Sequence, residues 1–278
     1  MSLISDTFNT SSPIPSIFPD GWKEILSGSD TVLFDSLDQF VFVASKLEQK
    51  KDEKCGITYK DAVQKLIRKE SDFPESEQKS IRNLVRENLL KRGLITEEIY
   101  ENFRYATDGT QLGVDVGKYA AGEADCVITP SRQYIDYFYE LYISISYSCD
   151  VSNETVRSNV AKLLATVEEL ERKHIFIKIN VVLPILNAGY DDKGNHKNFF
   201  SVIPVFSHKD FKSVPIMSSV VNEKLLRKFY FAILENLYGK KIHHGYGYPT
   251  QMDKAMNIGY SFNEVDLFKS VVESVGAE

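Results

Sequence analysis

The chain has 278 residues, of which 43% are hydrophobic and 12% aromatic, so it can bury a substantial core as one large domain or two small ones. Its formal net charge of -6 at pH 7 argues against a protein that coats duplex DNA through bulk electrostatic attraction. Three cysteines at wide spacings, without a CxxC pair, fit reduced thiols in a cytoplasm better than a disulfide framework and provide no zinc signature.

Residues 1–21 are predicted to form a flexible arm, because NTSSPIPSIFPDG contains three prolines and no hydrophobic periodicity. The N-terminus has neither a basic start nor a continuous apolar run, so no secretory signal or transit peptide is evident. The most apolar stretch, IFIKINVVLPIL, is interrupted by Lys178 and Asn180 and is shorter than the roughly 20 residues of a membrane span. We therefore expect a cytoplasmic location and no membrane partner.

Residues 22–108 are predicted to be mainly helical. LFDSLDQFVFVASKLEQKK has a capping Asp35-Ser36 followed by apolar residues on one helical stripe. ITYKDAVQKLIRKE predicts a second helix. PESEQKSIRNLVRENLLKRGLI predicts a third, which begins after Pro74 and ends at Gly93.

Residues 109–278 are predicted to form an α+β sheet region. In QYIDYFYELYISISYS, apolar and polar residues alternate from Tyr137 to Tyr147, which is typical of a half-exposed strand. SNETVRSNVAKLLATVEELERKH predicts a long helix capped by Ser152. IFIKINVVLPIL and FFSVIPVFS are predicted strands of a hairpin, and NEKLLRKFYFAILENLY predicts the last helix.

The predicted fold class is α+β, with the helical N-terminal region followed by a ferredoxin-like β-α-β-β-α antiparallel sheet unit, packed together as one compact domain. In such a unit two helices cover one face of the sheet. The other face is then open, as in RNA-recognition modules that present aromatic rings to unstacked bases, although no RNP1-like sequence is present. An exposed edge on the tyrosine-rich strand favours a homo-oligomer.

The stretch YGKKIHHGYGYP, from Tyr238 to Pro249, is the strongest candidate for a binding site. Tyrosine rings stack on unpaired bases, lysine and imidazole groups contact phosphates, and glycines allow close approach. The predicted single-strand-binding residues are Tyr238, Lys240, Lys241, His243, His244, Tyr246 and Tyr248. A solvated Gly-rich loop without a ligand and a protein interface are the alternative interpretations of this composition.

Metal binding and catalysis are weaker interpretations of the same stretch. His243 and His244 are adjacent, so on a strand they point to opposite faces, whereas zinc needs three or four converging ligands. A nicking nuclease with Tyr246 as nucleophile is the enzymatic alternative. Nucleases of that class use two histidines separated by one residue, whereas His243 and His244 are adjacent. No serine, cysteine or paired carboxylate lies at a spacing that makes either histidine a general base. We therefore predict no catalytic residue, metal or cofactor.

A second basic surface is predicted on the third helix, where Lys79, Arg82 and Arg86 recur three and four positions apart. Lys91 and Arg92 follow at the end of this helix. Three glutamates are interspersed on this helix, so a solvated face of mixed charge is the alternative.

GVDVGKYAAGEADCVI, residues 113–128, is the other unusual segment. Gly113, Gly117 and Lys118 are spaced one residue too closely for a phosphate loop, and Tyr119 replaces the magnesium-binding serine or threonine, which excludes a nucleotide hydrolase. The carboxylates of this segment suit a divalent ion in a nuclease, but such carboxylates are usually turn formers and caps. They are Asp115, Glu123 and Asp125.

DVGKYAAGEADCVI, followed by a strand and VAKLLATVEELERKHIFIKI, resembles a family of phage-encoded proteins. That family includes cofactors of phage RNA polymerases that prefer single-stranded DNA. The resemblance covers about residues 109–186, with a weaker similarity in LFDSLDQFVFVAS, and identifies no binding residue. It implies a phage protein acting in transcription in the host cytoplasm, with single-stranded DNA and a phage RNA polymerase as partners.

The expected function is therefore non-enzymatic binding of single-stranded DNA with little sequence specificity, as a cofactor of phage RNA polymerase. RNA in place of DNA stays open, because contacts to the 2'-hydroxyl leave no signature in this sequence. A nuclease of replication and a structural or host-interaction protein are the alternatives.

Overall fold

The structure is a computed structural model that describes residues 22, 29–47, 58–68, 74–95, 103–106, 113–114, 116–122, 127–130, 136–148, 150–221, 223–243, 247–252, 255–260 and 262–276. The predicted arm of residues 1–21 lies outside the described residues. So do the candidate metal ligands Asp115, Glu123 and Asp125.

In the described part of the chain, helices and strands are interspersed along the sequence. The helices are α1 (Leu37–Lys46), α2 (Tyr59–Arg68), α3 (Glu75–Lys91), α4 (Val116–Ala120), α5 (Asn153–Glu171), α6 (Val214–Val221), α7 (Glu223–Tyr238) and α8 (Glu264–Val275). The strands are β1 (Ser29–Leu33), β2 (Phe103–Ala106), β3 (Gly113–Val114), β4 (Val127–Pro130), β5 (Tyr137–Ser144), β6 (Ile175–Tyr190), β7 (His196–Phe206), β8 (Tyr248–Pro249) and β9 (Ala255–Asn257).

Local signals in the sequence explain where the long helices begin and end. Ser36 caps α1 by accepting a hydrogen bond from the backbone N–H of Gln39, and Ser152 caps α5 in the same way through Thr155. Helix α3 follows Pro74 and is closed by Gly93, whose φ of 68° is accessible to glycine at little cost. The predicted helix boundaries are confirmed at these ends.

The main sheet has the strand order β1-β7-β6-β5-β9, with β8 paired to the far end of β6. β6 and β7 form the predicted antiparallel hairpin, whereas β1 runs parallel to β7 and both β6 and β9 run parallel to β5. A second, antiparallel sheet has the order β2-β4-β3. The predicted combination of helices and β-sheet in one chain is therefore confirmed.

The ferredoxin-like antiparallel arrangement is not confirmed. β5 and β6 are direct parallel neighbours from Tyr137 opposite Ile175 to Ser144 opposite Val182, and α5 connects them. Both strands bury apolar side chains beneath α5, so they lie side by side in one parallel β-α-β crossover. In the predicted ferredoxin-like unit another strand would lie between them. β9 pairs with β5 at Tyr142 to Ser144, which covers that part of the edge from which self-association was predicted. A homo-oligomer stays a prediction.

The predicted helical region also contributes to the sheet, because β1 forms its edge beside β7. The apolar residues of α1, α2 and α3 join those of the sheet and of α5 in one hydrophobic core. That core packs against what we name the helix face of the sheet. Its strand residues include Leu141, Ile143, Ile177, Ile179, Val181 and Ile203.

The opposite side, which we name the second face, has its own apolar cluster at the centre. Trp22 is fully buried there and meets the edges of Tyr142 and Phe200 at centroid distances of 4.9 and 5.7 Å. Val182, Val202 and Met252 complete the cluster. The face that was predicted to be open is thus covered at its centre by Trp22 and Met252.

A polar cluster lies beside this apolar centre. Glu140 accepts hydrogen bonds from Lys178 Nζ at 2.8 Å, from the Tyr142 hydroxyl at 2.9 Å and from Asn180 Nδ2 at 3.5 Å. Burial disfavours the charged form of Glu140, but the bonds from Lys178 and Tyr142 together outweigh it and hold the pKa of this carboxyl below its ordinary value. Ionised Glu140 therefore stabilises the fold.

We expect this contribution to disappear as the pH falls below the ordinary glutamate value of 4.5, because the unfolded chain then takes up a proton that the folded chain resists. Thermal unfolding of the wild type and of Glu140→Gln is compared from about pH 7 to about pH 3. The wild type has the higher Tm at neutral pH, and the difference shrinks in acid. A difference that stays constant across this range contradicts the assignment.

Among the described residues, no helix combines the length and apolar character that crossing a membrane requires.

Candidate nucleic-acid interface

The predicted binding stretch lies against the end of the β6–β7 hairpin. After α7, a short 3-10 turn, Gly239–Lys241, leads into Ile242, which forms a bridge with Gly189. The backbone N–H of His243 donates to the carbonyl of Ala188 at 3.0 Å, and β8 pairs with β6 at Ile185 and Leu186. Backbone hydrogen bonds therefore position this stretch beside the end of β6.

Tyr238 is buried, with 9% of its surface exposed, and its prediction as a stacking residue is wrong. Its ring packs on Gly189, where a Cβ atom would lie only 2.4 Å from the ring. Its hydroxyl donates to the Asn198 carbonyl at 3.4 Å, and burial raises the pKa of this phenol well above its usual range. As the last residue of α7, it anchors the loop to the hairpin.

Four other rings meet at this end of the hairpin, and we name them the hairpin-end cluster: Tyr190, His196, His243 and Tyr248. Tyr190 and His196 are register partners on β6 and β7, with ring centroids 4.8 Å apart. The His243 ring lies 5.8 Å from each of these rings and 5.6 Å from Tyr248. Sequence reasoning had included His243 and Tyr248 but missed Tyr190 and His196.

The cluster is accessible at its outer side. Tyr248 is 57% exposed and His196 is also exposed, while Tyr190 and His243 are half-buried. The Nδ1 atom of His243 is buried and has no hydrogen-bond partner among the described residues. The exposed Tyr248 ring, with the His243 ring beside it, is a flat surface on which the ring of a ligand can stack.

Exposed lysines surround the cluster. Lys240 and Lys241 lie on the turn after α7, and Lys193 lies in the hairpin turn. Lys241 pairs with Asp192, which is 93% exposed, and an exposed pair contributes only about 0–1 kcal/mol, so a phosphate can replace this partner. The Asp191 carboxylate stabilises the turn instead, because it accepts hydrogen bonds from the backbone N–H groups of Lys193 and Asn195 and from the Asn195 side-chain amide.

His244 and Tyr246 lie outside the described residues. Of the other predicted loop residues, the structure brings Lys240, Lys241, His243 and Tyr248 to one end of the hairpin. Their predicted contacts with nucleic acid stay predictions.

Several residues of the predicted basic surface on α3 form ion pairs with glutamates. Arg82 pairs with Glu168 at 2.9 Å, and Arg86 pairs with buried Glu169 at 2.8 Å, so both guanidinium groups hold α3 to α5. Lys91 lies 3.8 Å from Glu87 on its own helix. Lys79 and Arg92 are exposed. The mixed-charge interpretation therefore fits α3 better than a phosphate-binding stripe.

A cavity of about 330 Å³ lies where α1 begins next to the end of β7. Its lining includes three aspartates, one lysine and an exposed phenylalanine: Asp35, Asp38, Asp210, Lys178 and Phe211. This negative lining repels phosphate groups, so the cavity does not suit nucleic acid. Among the described residues no group of three or more histidine, cysteine or acidic side chains has an arrangement that could hold a metal ion.

Comparison with curated proteins and comparison with solved structures found no match to this chain. A sequence model of the family described as Domain of unknown function (DUF7192) matches residues 28–274. Since this match covers most of the chain, the protein belongs to that family.

Proposed function

We propose that this protein binds single-stranded nucleic acid, with little sequence specificity, through the hairpin-end cluster. The observation that carries the proposal is the cluster of Tyr190, His196, His243 and Tyr248, which is accessible at one end and flanked by exposed lysines. Aromatic rings supply stacking surfaces for unpaired bases, and lysines follow the phosphates.

The charge distribution supports single strands over duplex. The chain carries a net charge of -6, so long-range attraction to a phosphate backbone is weak and stacking has to supply much of the affinity. A duplex hides the base faces that Tyr248 needs. Low sequence specificity follows because every base has a flat face that can stack on an aromatic ring.

The proposed biological role is that of a DNA-binding cofactor for a phage RNA polymerase. Its support is the resemblance of about residues 109–186 to a family of phage-encoded proteins that includes such cofactors. None of the four residues of the hairpin-end cluster lies within that range. A protein that holds an unpaired strand without reading its sequence suits such a role, because transcription exposes single-stranded DNA at the promoter.

The lysines give the first test of the proposal. We expect Lys240→Ala combined with Lys241→Ala to weaken binding of a labelled single-stranded oligonucleotide. The slope of log affinity against log salt should flatten by about 0.7 for each phosphate contact that is lost. Fluorescence anisotropy at several salt concentrations measures both quantities.

A matched control removes the same charge elsewhere. Lys60→Ala with Lys269→Ala changes exposed lysines on α2 and α8. This variant should keep the wild-type affinity and salt slope. Equal weakening in both double variants shows that only net charge matters, and wild-type affinity in both shows that Lys240 and Lys241 make no contact; either result contradicts binding at the hairpin-end cluster.

A further inference from the structure

A second pair of aromatic rings lies at the other end of β6. Phe138 on β5 and Phe176 on β6 are register partners, and their rings are stacked with centroids 6.0 Å apart and planes 29° apart. Lys209 Nζ lies 5.7 Å from the first ring centroid and 5.3 Å from the second. The His208 ring meets the edge of Phe138 at 5.2 Å. We name Phe138, Phe176 and Lys209 the phenylalanine platform.

The platform and the hairpin-end cluster lie on the same face of the sheet. Side chains two, four or six positions apart on a regular strand share a face. Phe176 is six residues from Val182 on β6, and His196 is four residues from Phe200 on β7. Because Val182 and Phe200 both belong to the apolar cluster under Trp22, the two sets of rings lie on the second face.

The platform resembles the hairpin-end cluster in what it offers to a ligand. Phe138 is 53% exposed, and its ring has a cation beside it. Lys209 also lies 3.4 Å from Asp136, but the lysine is 67% and the aspartate 37% exposed, so water and salt weaken this pair. A flat ring with a negative group attached complements the pair of phenylalanines and the ammonium group.

We propose that the phenylalanine platform is a second stacking site for the same single strand, which runs from the hairpin end along the outside of the layer that Trp22 and Met252 form over the centre of the second face. This inference rests on the proposed function. Phe176 lies nine residues before Ile185 on β6, and the bulge makes Ile185 to Tyr190 span only the three residues from Phe199 to His196 on β7. The two sites are therefore separated by about 40 Å at roughly 3.3 Å per residue. About twelve nucleotides at a spacing of about 3.4 Å cover that distance, and fewer are needed when the strand is extended.

The length of the oligonucleotide therefore separates one-site from two-site binding. Labelled oligo(dT) of six nucleotides is too short to reach both sites, whereas oligo(dT) of twenty nucleotides reaches both and gains affinity from the second contact. We expect Phe138→Ala to lower the affinity for the longer oligonucleotide roughly tenfold. The shorter one, held by the hairpin-end cluster, should change by less than about twofold. Phe138→Tyr keeps a ring and should restore the wild-type affinity.

Phe42 offers a matched control in the helical layer. It is 57% exposed and has Lys46 Nζ 5.5 Å from its ring centroid, so its surroundings are similar to those of Phe138. Phe42→Ala should leave binding of both oligonucleotides unchanged. Lys209→Ala is the second platform variant, and it should weaken binding of the longer oligonucleotide and flatten its salt slope by about 0.7.

The outcomes distinguish the platform from the proposed function. If Phe138→Ala and Lys209→Ala bind the longer oligonucleotide as tightly as the wild type, the platform is not a stacking site. The proposed function then stays in place, provided that Tyr248→Ala binds more weakly. Equal losses at both lengths also overturn the platform. Absence of binding to either oligonucleotide by the wild-type protein overturns the proposed function, and the platform with it.

Discussion

We expect the replacement of Tyr248 and His196 together by alanine to lower the affinity for single-stranded DNA roughly 30-fold or more. Each ring that stacks on a base contributes about 1–3 kcal/mol, and a loss of about 2 kcal/mol corresponds to this factor. Both side chains are exposed, and the backbone pairing of β8 and of the hairpin does not depend on them. The fold should therefore stay intact. Fluorescence anisotropy with a labelled oligonucleotide measures the loss.

Two variants check that stacking is the cause. Tyr248→Phe keeps the ring without the hydroxyl and should bind within about twofold of the wild type. Tyr260→Ala removes a tyrosine that is also exposed but lies between β9 and α8, and it should have no effect. Tyr248→Ala alone should leave the salt slope unchanged, because it removes no charge. Wild-type affinity in the double variant contradicts the assigned stacking site.

Replacing Arg86 by alanine is expected to reduce the free energy of unfolding by about 3 kcal/mol. The change leaves the Glu169 carboxylate buried without its partner at 2.8 Å, and breaking a buried pair costs about 3–5 kcal/mol. The lower end of this range applies because Arg172 Nε lies 3.8 Å from the same carboxylate oxygen. Urea denaturation measures the change.

Arg82 is the matched control, one turn earlier on α3. Its pair with Glu168 is exposed, so Arg82→Ala should cost only about 0–1 kcal/mol. Neither arginine variant should alter the affinity of the folded protein for single-stranded DNA. A stable Arg86→Ala protein with weakened DNA binding contradicts the structural role assigned to this arginine and supports the basic surface on α3.

Most helices and the central strands were predictable because their signals are local. The alternation from Tyr137 to Tyr147 indicated β5, and Ser36 and Ser152 marked the beginnings of α1 and α5. The predicted exposure of one side of this alternating stretch was wrong at its end, because Ser144 and Ser146 are buried. The strand β1 was missed because five residues within a predicted helical region give too short a pattern. Helix α8, behind its Asn263 cap, was also missed.

The arrangement of the sheet was less predictable, since the order of elements does not specify which strands become neighbours. A split unit and a direct parallel pair have the same sequence of strand, helix and strand. The choice depends on long-range pairing, in this case β5 with β6 across α5. The register of β9 on β5 likewise depends on residues more than one hundred positions away.

Half of the candidate site followed from composition and half from packing. The concentration of rings and lysines after α7 indicated Tyr248, His243 and Lys240. The contribution of Tyr190 and His196 depends on the hairpin register, which shifts between Ile185 and Gly189 and places them opposite each other. The aromatic and histidine flanks of the turn in GYDDKGNHK are the sequence signal that could have indicated this pair.

The most direct test of single-strand binding compares one labelled oligonucleotide with the same oligonucleotide annealed to its complement. Anisotropy titrations of the wild-type protein are made with both at low and at moderate salt. We expect the single strand to bind at least tenfold more tightly than the duplex and its affinity to fall as salt rises. Equal affinity for the two forms, or no binding to either, contradicts the proposed function.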